Sequence, residues 1–399
     1  MFKDHTITAK ETISYIPDDM IKNLAGETKV DHYAKVLKGR NMFYLLLYGI
    51  LENERLSQRS LEDTFNDPIF KTLFNLDKDE KVRRSSISER LSNIEANYFR
   101  AIYESIYKQF SQLYSHKESE RYNIMRVDSS IVTDVSGRLI EGLKPTSNSN
   151  AKSKPKTNIK YTMSFDGLLP SSANVFTNPS YSSEDLALPE AIKNHVASPA
   201  YHDNIYIIDR GLQSTAKMID LDTDDIKFVG RLKESRKYKV VESIVDEPQA
   251  EAIFDGLKLI LDSKAIINSG TSEKKELEVR IVIVERVSDN QRFVFVSNDY
   301  SLSYKEVAAF YKKRWDIEVF FRFIKQELNA SHLISLNKNG IEVMLYMTLI
   351  TAMLILIYKK MNSIGYKTAK RRFAMEIRNL AIEIIIIASG GDPKLFFKN

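Results

Sequence analysis

The chain of 399 residues contains no cysteine and a single tryptophan. Without cysteine it can form neither a disulfide nor a thiolate nucleophile, and a zinc site with cysteine ligands is excluded. The six histidines never occur at the short spacings typical of metal ligands. Any metal in this protein would therefore be held by oxygen atoms.

A secretory signal and a long charge-free run are also missing. The first residues, MFKDHTITAKETISYIP, include no apolar segment followed by small residues, so we expect a cytoplasmic protein. The least polar run, 343–358, is shorter than the roughly 20 residues of a membrane span. It favours a buried helix, and Lys359 and Lys360 directly after it keep a membrane segment as the open alternative.

Charge of one sign is not in large excess, since 58 Lys and Arg stand against 53 Asp and Glu, a net charge of +5. This mild basic balance favours a polyanionic partner only if the cations cluster in space. Apolar residues make up 43% of the chain. A chain of this length and composition can bury at least one full core and carry two or three structural units.

The N-terminal part of the chain has a helical pattern. From 31 to 114, apolar residues such as Leu91, Ile94 and Tyr98 recur at spacings of three and four, and no strand-like alternation is present. Several short helical stretches in 57–94 carry a cluster of basic residues, Lys81, Arg83, Arg84 and Arg90. Both a helix-turn-helix DNA reader and a helical bundle with a solvated charged face fit these residues.

Strands replace helices after about residue 120. The pattern predicts strands at 122–133, 158–165 and 173–177, a helix at 186–196 and a buried strand at 204–208. More strands follow in 226–297, which we interpret as a separate β unit, and helices return after a capping box at Ser303–Glu306. The predicted fold class is therefore α/β with four parts: a helical domain at 1–120, core segments at 121–225 and 301–399, and a β-rich insertion at 226–300.

One helical segment near the C-terminal end gathers cations around a single acid. With about 100° per residue, Tyr311, Arg314, Glu318 and Lys325 lie within an arc of about 60°, with Arg322 at about +20° from Tyr311. The same geometry turns Glu306, Asp316 and Glu327 away from this arc. Glu318 is therefore the carboxylate that we expect beside bound anions, although an ordinary amphipathic helix would carry the same apolar stripe.

Two aspartates occupy positions where an unpaired charge is costly. Asp128 interrupts the apolar strand MRVDSSIV, and Asp209 ends the buried strand NIYIID. Burying a carboxylate in such places costs several kcal/mol unless it is paired or coordinated. Together with Glu318 they could form a two-metal site for phosphoryl transfer. The alternative is local: Asp128 caps a bulge, and Asp209 starts a turn or pairs with Arg210.

The segment Tyr311-Lys-Lys-Arg314-Trp-Asp-Ile-Glu318, followed by Lys325, resembles the Tyr-Arg-Glu-Lys signature of DDE transposases of bacterial insertion sequences. Shorter fragments resemble the same family: VDSS around Asp128, IIDRG around Asp209, and FVGR ending at Arg231. The resemblance extends over about 122–336.

This resemblance implies an RNase H-like catalytic core, a mixed sheet flanked by helices, whose Asp128, Asp209 and Glu318 bind two Mg2+ or Mn2+ ions. It further implies cleavage of double-stranded DNA at transposon terminal inverted repeats, passage through a hairpin, joining to target DNA, and a homodimer in the synaptic complex. A DNA-binding protein that no longer cuts and an RNase H-like nuclease of another type are the alternative functions.

The resemblance also assigns Tyr311, Arg314 and Lys325 to phosphates and a flipped-out nucleotide near the cut. Arginine can bind a phosphate through two donors, and lysine contributes a point charge. The neighbouring Arg322 shares the basic face, and Arg231 resembles a family arginine near the site. Trp315 could stack on a base, or it could pack at the edge of the core.

Overall fold

The computed structural model describes residues 6–114, 118–119, 121–134, 136–139, 141–143, 156–197, 203–245, 253–268 and 275–395. The chain forms two compact units. The first comprises Met1–Ser115, Val132–Glu141 and Phe321–Asn399, and the second comprises His116–Ile131 and Gly142–Phe320. The predicted boundaries at 225 and 300 do not coincide with this division, because the C-terminal helices belong to the same unit as the N-terminal ones.

Helices build the N-terminal part of the first unit, as the apolar spacing predicts. They are α1 (Ala9–Ser14), α2 (Asp18–Thr28), α3 (Gly39–Glu52), α4 (Gln58–Asn66), α5 (Pro68–Leu73), α6 (Arg84–Asn93) and α7 (Ala96–Leu113). Arg90 of α6 donates to the carbonyls of Leu37 at 2.9 Å and Val30 at 2.5 Å. This cation thus has a structural role, and DNA reading by the cluster at 81–90 stays a prediction.

A mixed sheet forms the centre of the second unit. Its first elements are β1 (Asn123–Thr133), β2 (Asn158–Phe165), β3 (Pro170–Phe176), α8 (Glu184–Val196), β4 (Asn204–Ile208), α9 (Thr215–Thr223) and β5 (Lys227–Leu232). The strands follow the spatial order β3-β2-β1-β4-β5. β4 runs parallel to both β1 and β5, whereas β2 and β3 are antiparallel to each other. The predicted order of three strands, a helix and a strand is confirmed.

The remaining strands extend this same sheet. They are β6 (Lys239–Ser243), β7 (Ile253–Phe254), β8 (Leu257–Asn268), β9 (Glu276–Arg286) and β10 (Arg292–Ser297). β10 pairs antiparallel with β5, so the described strands form one ten-stranded sheet. The predicted strands are present, but the prediction of a separate β unit is wrong. The edge of β5 would expose unpaired backbone groups, and β10 supplies their partners.

Two apolar clusters, one on each side of the pleat, stabilise the sheet of the second unit. Met125, Tyr206 and Phe228 belong to one cluster, and Ile124, Ile205 and Ile207 belong to the other. Successive side chains of a strand point to opposite faces, so a strand buried on both faces reads as a continuous apolar run. This explains the uninterrupted sequence Ile205–Ile208 of β4.

Two helices follow β10, namely α10 (Tyr304–Lys312) and α11 (Trp315–Glu327). The capping box predicted at the start of α10 is confirmed, since the Ser303 hydroxyl accepts from the Glu306 amide at 3.2 Å. In return, Glu306 accepts from the Ser303 amide at 2.7 Å. These bonds satisfy donors that the first turn of a helix leaves unpaired.

The last two helices of the first unit are α12 (Lys338–Met361) and α13 (Tyr366–Ala388), and α12 packs against α7, α3 and α13. Among the described residues, α12 is the one helix long and apolar enough to cross a membrane by length and composition. Of its most apolar window, 83% is buried inside the protein. This burial agrees with the interpretation of 343–358 as a core helix.

Candidate active site

The strand register brings the two predicted aspartates together. β1 pairs in parallel with β4, with Val127 opposite Ile208. Asp128 follows Val127 in β1, and Asp209 follows Ile208 at the end of β4. The two aspartates therefore lie side by side, directly after the last paired residues. Parallel strands end at the same edge of a sheet, which is where ligands of open α/β sheets bind.

The single helix predicted to carry Tyr311 through Lys325 is instead two helices, and this prediction is wrong. The helix is interrupted at Lys313 and Arg314, between α10 and α11. Tight i→i+3 hydrogen bonds form the break, from Arg314 N to Tyr311 O and from Asp316 N to Lys313 O, both at 3.0 Å. Such bonds close a tighter turn than the α-helix allows.

A buried arginine explains why the helix breaks there. The guanidinium of Arg126 is fully buried and donates from Nε to the carbonyl of Lys313 at 3.2 Å. It also pairs with Asp316 at 3.0 Å and with Glu118 at 2.5 Å, and it donates to the Ile124 carbonyl at 2.7 Å. A side chain that inserts into the helical hydrogen-bond ladder is a known cause of a sharp kink. Sequence analysis did not single out Arg126.

The break points Arg314 at all three predicted acids. Its Nη1 lies 3.5 Å from Asp128 Oδ2, its Nε lies 3.5 Å from Asp209 Oδ1, and its Nη2 contacts Glu318 Oε1. The Arg314 side chain is 16% exposed, so these contacts are partly shielded from water. Three carboxylates that are far apart in the chain thus converge on one guanidinium, and their predicted role as metal ligands stays a prediction. The sequence did not indicate that Arg314 would lie between them.

Electrostatics at this cluster perturb several groups. Burial, together with the charge of Asp209, raises the pKa of Asp128 to about 7, although the Ser129 amide and Arg314 oppose the shift. Burial by itself would lower the pKa of Arg314, but Asp209 and Glu318 outweigh burial and raise it. Perturbed pKa values of this kind are typical of functional sites.

Tyr311 and Arg231 border the acidic cluster. The Tyr311 hydroxyl donates to Asp209 Oδ1 at 3.5 Å, and its ring packs on Phe295 with centroids 4.9 Å apart. Burial and the charge of Asp209 raise the pKa of Tyr311. Arg231 of β5 places its guanidinium over the ring of Phe293, 4.6 Å from the centroid. The predicted phosphate roles of both residues stay predictions.

The other candidate DNA contacts lie on α11. Trp315 is 53% exposed, so its ring is not buried in the core and stacking on a base stays a prediction. Arg322 is exposed and Lys325 is half-buried, and burial lowers the pKa of Lys325. Both residues belong to the first unit, since the division falls after Phe320. Their predicted phosphate roles stay predictions.

Sequence analysis missed an acid that connects the two aspartate-bearing segments, Glu184 at the start of α8. Glu184 accepts from the Ser129 hydroxyl at 2.8 Å, next to Asp128, and pairs with the buried Lys160 at 2.9 Å. Its Cβ and Cγ lie 2.8 Å from where a side chain on Gly211 would begin, two residues after Asp209. The available signal was an acid directly after Ser183, a helix-capping residue.

The donor chemistry of the site suits a hard divalent cation. Mg2+ and Mn2+ prefer carboxylate oxygens, and three carboxylates converge here. Within the part of the chain that the structure describes, however, no three His, Asp or Glu side chains are arranged around one ion position. The contacts of Arg314 explain this, because its guanidinium lies between the carboxylates.

The family described as Transposase DDE domain matches residues 127–354, which is more than half of this chain. A Synechocystis sp. protein assigned as a transposase for insertion sequence element IS4SA is 31% identical over 168 residues, 39% of this chain and 45% of that protein. A Sinorhizobium fredii protein assigned as transposase y4zB is 29% identical over 159 residues, 40% of this chain and 44% of that protein. The chain therefore spans less than half the length of these curated relatives.

Among solved structures, the cryo-EM synaptic complex of piggyBac transposase with hairpin DNA aligns with 98% of this chain and 83% of that chain. The sequence identity is 12% and the TM-score is 0.49.

Proposed function

Because the chain belongs to the family of transposases with a DDE domain, we propose that it is a metal-dependent DNA transposase. It would cut double-stranded DNA at the terminal inverted repeats of its element and join the freed ends to target DNA. The observation that carries this proposal is the convergence of Asp128, Asp209 and Glu318 on one guanidinium. A hairpin intermediate, a synaptic homodimer and a cytoplasmic location belong to the proposal as expectations from the resemblance.

An RNase H-like core is the finer fold proposal. The strand order β3-β2-β1-β4-β5, with β4 parallel to β1 and β5, supports it. The three acids come from separate segments: Asp128 lies within β1, Asp209 directly follows the neighbouring parallel strand β4, and Glu318 is on the first turn of α11. This arrangement lets distant segments of the chain supply one site.

The carboxylates of Asp128, Asp209 and Glu318 are the groups that would hold two Mg2+ or Mn2+ ions. When bound, such a pair of ions stabilises both the attacking and the leaving oxygen of a phosphoryl transfer. The carboxylate oxygens face Arg314 in this structure, so ion binding requires the guanidinium to release at least part of them. Arg314 is also our candidate for a phosphate contact, because a guanidinium can donate two parallel hydrogen bonds to phosphate oxygens.

The test removes one acid at a time without changing its shape. Asp128→Asn, Asp209→Asn and Glu318→Gln should each abolish Mg2+-dependent cleavage of a duplex that carries the element's end, while binding of that duplex persists. Glu327→Gln is the matched control, because Glu327 lies on the same helix and was predicted to face away from the basic side. Full cleavage by any one of the three variants removes that residue from the site.

Calorimetric titration with Mn2+ separates the alternatives. A transposase or nuclease should bind the ion, and the variants Asp128→Asn, Asp209→Asn and Glu318→Gln should not. A DNA-binding protein that no longer cuts should show no Mn2+ binding even as the wild type. Product analysis then distinguishes a transposase from another nuclease, because only the transposase joins the cut end to a second DNA molecule.

A further inference from the structure

A pocket of about 660 Å3 in the second unit is lined by cations and by no carboxylate. The turn between β5 and β6 contributes Lys233, Arg236 and Lys237, and Lys239 is the first residue of β6. The three lysines are exposed. Among the described residues, none of these four cations has an ion-pair partner. Positive charges held together without a counter-charge repel one another, and a bound anion would relieve that repulsion.

Arg236 shows that this charge is fixed in place. Its Nη2 donates to the Asn268 carbonyl at 2.9 Å and to the Thr215 hydroxyl. Both acceptors are neutral, so they hold the guanidinium in position without cancelling its charge. The Nε atom of Arg236 is buried and has no hydrogen-bond partner among the described residues. A buried donor without a partner costs free energy that an incoming acceptor could recover.

The turn itself is held at three points, which makes the pocket a preformed feature. Gln213 accepts from the Lys233 amide at 3.2 Å and donates to the Arg231 carbonyl at 3.2 Å. Arg236 N closes the turn onto the Lys233 carbonyl at 2.9 Å. The ring of Tyr238 packs against the apolar core of the sheet. Binding to a preformed site avoids much of the entropic cost of ordering a loop.

The pocket also lies close to the acidic cluster. Gln213, which lines it, is only four residues after Asp209, and four extended residues span at most about 14 Å. We propose that this pocket is a phosphate subsite that binds the sugar–phosphate backbone of DNA beside the cleavage point. This inference rests on the proposed function, and it assigns a partner surface that the three acids do not provide.

The experiment compares two double variants of the full chain that remove the same charge. Lys237→Ala with Lys239→Ala changes the pocket, and Lys258→Ala with Lys305→Ala changes two exposed lysines of the same unit outside it. Binding of a duplex DNA is measured over a series of KCl concentrations in EDTA. Each lost phosphate contact should lower the slope of log affinity against log salt by about 0.9.

We expect the slope of the pocket variant to be less steep than that of the wild type by about one to two, and the slope of the control variant to equal the wild-type slope. Equal slopes in the two variants would overturn the inference. Loss of inorganic phosphate binding with an unchanged DNA slope would also overturn it, because the pocket would then bind free phosphate. A wild-type chain that neither binds nor cuts DNA contradicts the proposed function instead, so the two failures are distinguishable. Unchanged thermal unfolding of both variants shows that folding is not the cause.

Discussion

Asp128 should destabilise the metal-free protein at neutral and alkaline pH, and Asp128→Asn should remove that penalty. Its pKa is raised from 3.8 to about 7 by burial, with only 19% of the side chain exposed. Between these two pH values the unfolded chain is ionised while the folded chain keeps its proton. The folded state therefore binds more protons, and its stability falls as pH rises through this window. A difference of about three pKa units corresponds to at most about 4 kcal/mol.

The assay is urea unfolding in EDTA at about pH 4 and about pH 8, where the two pH values bracket the titration. Asparagine does not titrate and can still accept the Ser129 amide bond, which has a length of 2.7 Å. We expect the stability of Asp128→Asn relative to wild type to be greater at the higher pH by up to about 4 kcal/mol. The gain in stability should accompany the loss of cleavage, as is common at functional sites.

Asp134 provides a control with the opposite sign. It accepts backbone amides from Ser136 at 2.8 Å, Arg138 at 2.9 Å and Leu139 at 2.8 Å. Although its burial opposes the shift, these hydrogen bonds lower the pKa of Asp134, so its charged form stabilises the fold. Asp134→Asn should therefore be less stable than wild type at the higher pH. The two substitutions should change the stability at the higher pH, relative to wild type, in opposite directions. If Asp128→Asn also lowered the stability there, the reasoning about burial at Asp128 would be refuted.

Three further predictions follow from other contacts. Glu184→Gln should lower kcat of cleavage more than KM for DNA, because Glu184 fixes the neighbourhood of both aspartates, whereas Glu190→Gln on the same helix should change neither. Arg126→Met should lower the free energy of unfolding in urea by about 3–5 kcal/mol, since two acids lose a buried partner. Arg126→Lys, which keeps the charge, should lower it less. Equal decreases in the two variants would contradict a role for the charge. Burial lowers the pKa of His195 to about 4, so its neutral form stabilises the fold, and about 3 kcal/mol should be lost as pH falls from about 6.5 to 4. A pH slope unchanged in His195→Gln would show that another group is responsible.

Local pattern was sufficient for the strands and for the proximity of two acids. The apolar runs predicted β2 and β4 with the bounds that the structure has. Once β1 and β4 are parallel neighbours with Val127 opposite Ile208, Asp128 and Asp209 follow the last paired residues side by side. The length and apolar content of these runs carry this information, because a strand buried on both faces reads as a continuous apolar run.

Long-range contacts account for what the sequence could not predict. The break between α10 and α11 depends on Arg126 and Lys313, which are 187 residues apart in the chain. A helical wheel contains no term for such a contact. The same break aims Arg314 at three carboxylates instead of leaving it on a continuous basic face. The pairing of β10 with β5, which joins the predicted β unit to the main sheet, is likewise a long-range contact that the local sequence does not specify.

The contact of Arg126 with the helix break also bears on local opening. The first turn of a helix usually frays independently of the rest of a protein. Here that turn, which carries Glu318, is fastened to β1 through a guanidinium with no exposure to water. Amide hydrogens at 316–319 should consequently exchange with deuterium as slowly as those of the central strands, and the carboxylate of Glu318, our proposed metal ligand, would be held as rigidly as the sheet.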